Sequence, residues 1–202
     1  MTLDVSSPLV VAALSEDAPR KAREAGEAGA DAVEVRIDMY DGGSDSALED
    51  LRDCDALPVI ATNRTTEDES EKVRIETLVR AMKNAEAVDI DVSSPDDSIE
   101  RVVKAARKEN ATVIASHHDF DGTPSVDGMM ETLERAWETG DVAKLAVTPE
   151  DEGDVLDLLR LTLEARESGD GPFCAISMGA LGSYTRFVAP LYGSFLTYAS
   201  HG

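Results

Sequence analysis

Lys144 stands in the run VAKLAV at residues 142–147, where every neighbour suits a strand buried on both faces. An ammonium there is costly unless it is paired or loses its proton, and the neutral amine is the form that attacks a carbonyl to make an imine. Other ionisable residues end similar runs. Glu34, Arg36 and Asp38 alternate in VEVRID, Arg64 closes IATNR, Asp89 and Asp91 alternate in VDIDV, and His117, His118 and Asp119 follow the run that starts at 112. Arg186 comes after the glycines at 179 and 182. Burial, helped by the cations Arg36, Arg64 and Arg186, would depress the Lys144 pKa and keep its amine neutral.

Each of these residues also has a purely structural reading. Lys144 could be a salt-bridged core lysine, Glu34 and Arg36 an ion pair, and Asp89 and Asp91 solvated strand ends. Alternation along a strand puts Glu34, Arg36 and Asp38 on one face, inward or outward, and sends His117 and His118 to opposite faces. His201, beside the terminus, is expected to carry no role.

A scaffold for such groups is visible in the spacing. Short apolar runs rich in β-branched residues recur at 9–14, 32–37, 58–62, 87–92, 112–116, 142–147, 172–178 and 194–198, giving eight candidate strands. Stretches of helical periodicity lie between them at 18–28, 69–85, 98–109, 126–138 and 154–167. Ser125 and Ser98 stand before helical runs, and Gly29, Gly140 and Gly169 follow them. This β-α alternation implies parallel strands with right-handed crossovers, and eight units favour an α/β fold of the (β/α)8 TIM-barrel type, one domain over residues 1–202. An open doubly wound sheet is the alternative, but neither GxGxxG after the first strand nor GxxxxGK[ST] is present. In a barrel the catalytic groups project from the carboxyl ends of the strands, which is where the ionisable residues fall.

Composition narrows the partners. Lys plus Arg number 19 against 41 Asp plus Glu, a formal net charge of -22 that repels phosphate backbones and anionic lipid surfaces, so nucleic acid and membranes are not expected as partners. The acids are spread along the chain and only 6 of the 19 basic residues are Lys, an acidic surface that reads as adaptation to high salt in a halophile. Cys54 and Cys174 fit neither CxxC nor Cys/His spacing, so reduced thiols are expected rather than a disulfide or a metal site. The opening MTLDVSSPLVVAALSED lacks a basic start, and its apolar run is too short for a signal peptide or a span, which points to the cytoplasm.

The ordered set VEVRID, IATNRT, VDID, SHHDF, KLAVTP and ISMGALGSYTRFVAPLYGS resembles the type I 3-dehydroquinate dehydratases of the shikimate pathway, from the first strand to the last. The joint order and spacing carries the resemblance; any one motif alone is weak. It implies cis-dehydration of 3-dehydroquinate to 3-dehydroshikimate through an imine, by a homodimer, without metal, nucleotide or other cofactor. Matched motif by motif, it implies Lys144 as the Schiff-base lysine and His118, not His117, as the acid–base histidine. It further implies Glu34, Arg36 and Arg64 in substrate binding, Arg186 on the substrate carboxylate, and Asp89 as the group that sets the tautomer or charge of His118.

The chain departs from the family pattern twice. Members often carry an acid four residues after the strand-three arginine in a Glu-Gly-Gly loop, where this chain has TTEDES and hence Asp68. Members also continue into a lid and a final helix, whereas this chain stops at Ser200-His201-Gly202, so an eighth strand without its helix is expected to expose apolar surface. Two other classes compete. One is a Schiff-base aldolase acting on a keto acid or sugar phosphate, with Gly179, Gly182 and Gly193 as a phosphate cradle. The other is a barrel that binds a small carboxylic acid as a sensor or scaffold.

Overall fold

Each strand offers one set of side chains to a central space and the alternate set to surrounding helices, and both sets are largely apolar below the strands' carboxyl ends. The computed structural model describes residues 3–4 and 7–200; the expectation for His201 falls outside them. Its strands are β1 (Leu9–Leu14), β2 (Ala32–Arg36), β3 (Val59–Thr62), β4 (Ala87–Asp91), β5 (Thr112–Asp119), β6 (Val142–Val147), β7 (Phe173–Ser177) and β8 (Leu196–Ser200). They form one sheet of parallel neighbours in the order β7-β6-β5-β4-β3-β2-β1-β8.

The two ends of that order meet across a seam without a regular ladder. Phe195 N–H donates to the Phe173 carbonyl (2.6 Å), the Ala175 N–H to Ser194 Oγ (3.2 Å) and the Cys174 thiol to the Leu196 carbonyl (3.1 Å). The result is a nearly closed (β/α)8 barrel. Around it lie α1 (Ala18–Glu27), α2 (Gly43–Asp53), α3 (Glu71–Ala81), α4 (Asp96–Glu109), α5 (Val126–Thr139), α6 (Glu152–Ser168), the short α7 (Gly179–Gly182) and α8 (Thr185–Tyr192). No helix follows β8 among the described residues, and Phe187 and Leu191 of α8 are 82% and 77% exposed. No described helix is long and apolar enough to cross a membrane.

The interior is tiered. Val11, Ala32, Ile60, Ala87, Ile114, Val142, Cys174 and Leu196, one from each strand, pack together as an apolar floor. Two residues further along the same faces stand Glu34, Thr62, Asp89, Ser116, Lys144 and Tyr198, and two further again Arg36, Arg64, Asp91 and His118. The inward reading of the Glu34–Arg36 ladder is therefore the one realised.

Local differences from the sequence reading have local causes. The α4 helix starts at Asp96 behind Pro95, so Ser98 sits buried in its first turn and is not its cap. Strand β5 runs on to Asp119, because His117, His118 and Asp119 all keep pairing with β6. Strand β8 starts two residues later than the apolar run, since Ser194 and Phe195 belong to the seam. Helix α2 escaped notice because its buried stripe is only Ala47, Leu48 and Leu51, entered through two glycines of positive φ. Ser125 does cap α5, its Oγ accepting from the Gly128 N–H at 3.3 Å.

The turn after β7 is clipped to the strand it leaves. Thr185 Oγ1 donates to the Gly182 carbonyl (2.7 Å) and accepts from the Ser177 N–H (3.1 Å). A Cβ on Gly182 would lie 2.5 Å from the Ser177 carbonyl carbon. Gly182→Ala should therefore force this turn, which carries Arg186, away from β7. The expected cost is about 1–3 kcal/mol, read as a lower midpoint in denaturant unfolding.

Candidate active site

Lys144 is in the middle tier of the barrel and only 4% exposed, so its charge is decided by what its neighbours supply. Its Nζ donates to Asp89 Oδ2 at 2.9 Å and lies 3.5 Å from Glu34 Oε1 and 4.1 Å from the centroid of the Tyr198 ring. Burial opposes the ammonium, but Asp89 and Glu34 outweigh it and raise the pKa above the ordinary lysine value. The expectation of an amine kept neutral by burial and arginines is thus overturned for the free protein. The closest groups are carboxylates from β2 and β4, and Arg64 is engaged with Asp89 instead.

That carboxylate is the hub of the tier. Asp89 accepts from Ser116 Oγ (2.6 Å) and pairs with Arg64 Nη2 (2.9 Å) as well as with Lys144. Burial favours its neutral form, yet Arg64 and Lys144 hold its pKa well below the usual carboxylate range. Glu34 is anchored by Thr62, whose Oγ1 donates to Oε1 at 2.9 Å. Arg64 also donates to Ser116 Oγ (2.8 Å) and lies 3.4 Å from Asp91 Oδ2.

The two histidines divide as alternation requires. His118 is in the cavity, stacked on Phe120 with ring centroids 6.0 Å apart, while His117 is outside with Glu131, Thr132 and Arg135. Burial, Arg64 and Lys144 lower the His118 pKa, and Asp91 opposes them, so the ring is a neutral base near pH 7. The carboxylate nearest its Nδ1 is Asp91 (3.6 Å), whereas Asp89 is occupied by Lys144, Arg64 and Ser116. Asp68 does not line the cavity.

Arg36 pairs with Asp38 (2.6 Å) rather than with Glu34, so the ion pair suggested by their spacing is not formed. Arg186 lines the cavity and makes no ion pair among the described residues. Sequence reading passed over Thr62, Ser116, Tyr198 and Arg74. The first three share strand parity with Arg64, His118 and Leu196 and were legible once the inward face was known; Arg74 comes from α3, buried and bonded to Glu71, Asn63 and Ser94.

The cavity measures about 1290 Å³, and Arg36, Arg64, Arg74, Lys144 and Arg186 line it against Glu34, Asp38 and Asp91. Of these cations Arg36, Arg64, Arg74 and Lys144 are paired with carboxylates, and Arg186 is the one without an ion pair among the described residues, which leaves it available to a small anion. Cys174 is the floor residue of β7, its thiol pushed up to about 12 by burial, and both cysteines are free.

Fold and site together define a (β/α)8-barrel enzyme whose charged, lysine-centred cavity opens at the carboxyl ends of the strands. The family model for type I 3-dehydroquinase matches residues 8–202, and the chain belongs to that family. A 3-dehydroquinate dehydratase of Methanosarcina barkeri is 41% identical over 95% of this chain and 84% of its own length. One of Halobacterium salinarum is 42% identical over 84% of this chain and 77% of its own. Among solved structures, a type I 3-dehydroquinate dehydratase from Clostridium difficile, with covalently modified comenic acid, superposes with a TM-score of 0.87 at 26% identity, covering 96% of this chain and 84% of that one.

The sign of the Lys144 shift is testable. In the free protein its amine should react with an acylating reagent far more slowly than exposed Lys108 at pH 9. Asp89→Asn removes the closest counter-charge and should speed labelling of Lys144 by about tenfold for each pKa unit lost, measured by peptide mass spectrometry.

Proposed function

We propose that this chain catalyses the cis-dehydration of 3-dehydroquinate to 3-dehydroshikimate, the third step of the shikimate pathway, through a Schiff base on Lys144. The observation that carries the proposal is a buried lysine between two carboxylates, in one cavity with a neutral histidine and an unpaired arginine, in a chain of this family. Arg186 suits the substrate carboxylate, because a guanidinium meets it with two parallel hydrogen bonds. Glu34, Arg36 and Arg64 are within the same cavity to meet ring hydroxyls.

The chemistry follows from the charges. Lys144 must release a proton before it attacks the ring ketone, and because Asp89 and Glu34 hold the ammonium, that release is the step substrate binding has to drive. Addition followed by loss of water gives an iminium, which is again a cation, so Asp89 and Glu34 stabilise it as they stabilised the ammonium. The iminium withdraws electrons and acidifies the adjacent carbon. His118 removes that proton, the C–O bond to the neighbouring hydroxyl breaks as the double bond forms, and the protonated histidine returns its proton to the departing oxygen as water. Water then hydrolyses the product imine and frees Lys144. No step calls for a metal or a nucleotide.

The same reading makes the protein a cytoplasmic enzyme of a halophile that works as a homodimer. The acidic composition suits screening by salt, and the open apolar side chains of α8 suit burial against a second subunit.

Ultraviolet absorbance of the conjugated enone should rise on adding dehydroquinate, faster in molar salt than at low salt, and no rise at either would end the reading. Borohydride with dehydroquinate should leave its adduct on the Lys144 peptide. His118→Ala should still form that adduct while turnover falls roughly 10²–10⁴-fold, and His117→Ala should stay near wild type.

A further inference from the structure

The orientation of His118 contains a hydrogen-bonding argument. Its Nε2 lies 3.4 Å from Arg64 Nη2, and a guanidinium has only donors, so Nε2 is the acceptor nitrogen and the neutral ring carries its proton on Nδ1. That Nδ1 is buried and has no hydrogen-bond partner among the described residues. It faces Asp91 Oδ2 at 3.6 Å, just beyond bonding distance. The other oxygen of Asp91 is held by the Ser93 N–H (2.9 Å) and Ser93 Oγ (2.6 Å), so the carboxylate is already aimed. Phe120 stacks beside the ring with centroids 6.0 Å apart.

We propose that Asp91 is the positioning residue of His118: as substrate draws Arg64 off Nε2, the ring closes on Asp91, which accepts the Nδ1 proton and leaves the Nε2 lone pair facing the substrate. The proposal rests on the function argued above. When Nε2 takes up the substrate proton, the Asp91 carboxylate lies against the resulting imidazolium and stabilises it. Asp89 cannot serve both ends of the reaction, being taken up by Lys144, Arg64 and Ser116. This chain therefore supplies the acid for its histidine from β4, two residues along the strand from the acid for its lysine.

The groups facing His118 fix the sign of the effect. Arg64 from β3 and Lys144 from β6 lower its pKa together with burial, while Asp91 and Asp89 from β4 raise it. His117, outside the wall, meets only the far oxygen of Asp91, at 3.9 Å. Removing the Asp91 charge lowers the His118 pKa further, so the base stays unprotonated to lower pH.

The test is Asp91→Asn beside wild type and Asp91→Glu. In Asp91→Asn we expect kcat to fall roughly 10- to 100-fold by the weight of comparable orienting partners, and the acid limb of kcat/KM to move down by about one pH unit. Borohydride trapping of Lys144 should persist, and Asp91→Glu should recover part of kcat and return the limb. Nitrogen NMR of wild-type His118 should show the Nδ1–H tautomer. An Nε2–H tautomer in wild type overturns the proposal even if Asp91→Asn fails to fold; so does lost kcat with an unmoved acid limb, which is the mark of a merely structural aspartate. Wild type that neither traps nor dehydrates the substrate sinks the function itself, a result distinct from either.

Discussion

A charged lysine inside a barrel must be answered by charge, and the contact between Lys144 and Asp89 is that answer. Everything else in the middle tier follows from it. Asp89 needs its remaining valences satisfied, which Ser116 and Arg64 do; Arg64 in turn reaches Ser116 and His118; Glu34 completes the shell and is itself held by Thr62. Five strands thus contribute to one hydrogen-bonded cluster directly above an apolar floor, where the low dielectric makes each pairing stronger and each omission costlier.

The arrangement favours cations in general rather than the ammonium in particular. In the proposed reaction the amine is neutral only while it attacks, and both the resting lysine and the iminium are positive. A site that depressed the lysine pKa with arginines would ease attack and then destabilise the electron sink it had created. Two carboxylates reverse that balance, leaving proton release as the step that substrate binding has to drive.

Much of this was legible in the chain because parallel strands obey a two-residue period. Placing His118 inside also places Ser116 and excludes His117, and within their own strands Asp89 goes with Asp91 and Glu34 with Arg36. What the period does not contain is register between strands. The partners of Lys144 are 55 and 110 residues away, and without knowing that Asp89 and Glu34 reach its level, burial and nearby arginines suggested the wrong sign for its pKa. The same gap assigned His118 to Asp89, although Asp91, one inward position higher, is the closer carboxylate. Helix α2 was obscure for a different reason, a short stripe of three buried residues between glycine and acidic turns, where tertiary packing rather than periodicity makes the helix.

The seam between β7 and β8 has a consequence for how the barrel opens. Seven neighbouring pairs are joined by parallel ladders, while this one relies on Phe195, the Ser194 hydroxyl and the Cys174 thiol, so it lacks the regular backbone ladder that holds every other pair. Amide hydrogens of β8 should therefore exchange with solvent through local opening at lower free energy than those of β4 or β5. The wall that parts most easily is the one that carries Tyr198, so the least protected amides of the barrel lie beside the buried ammonium of Lys144.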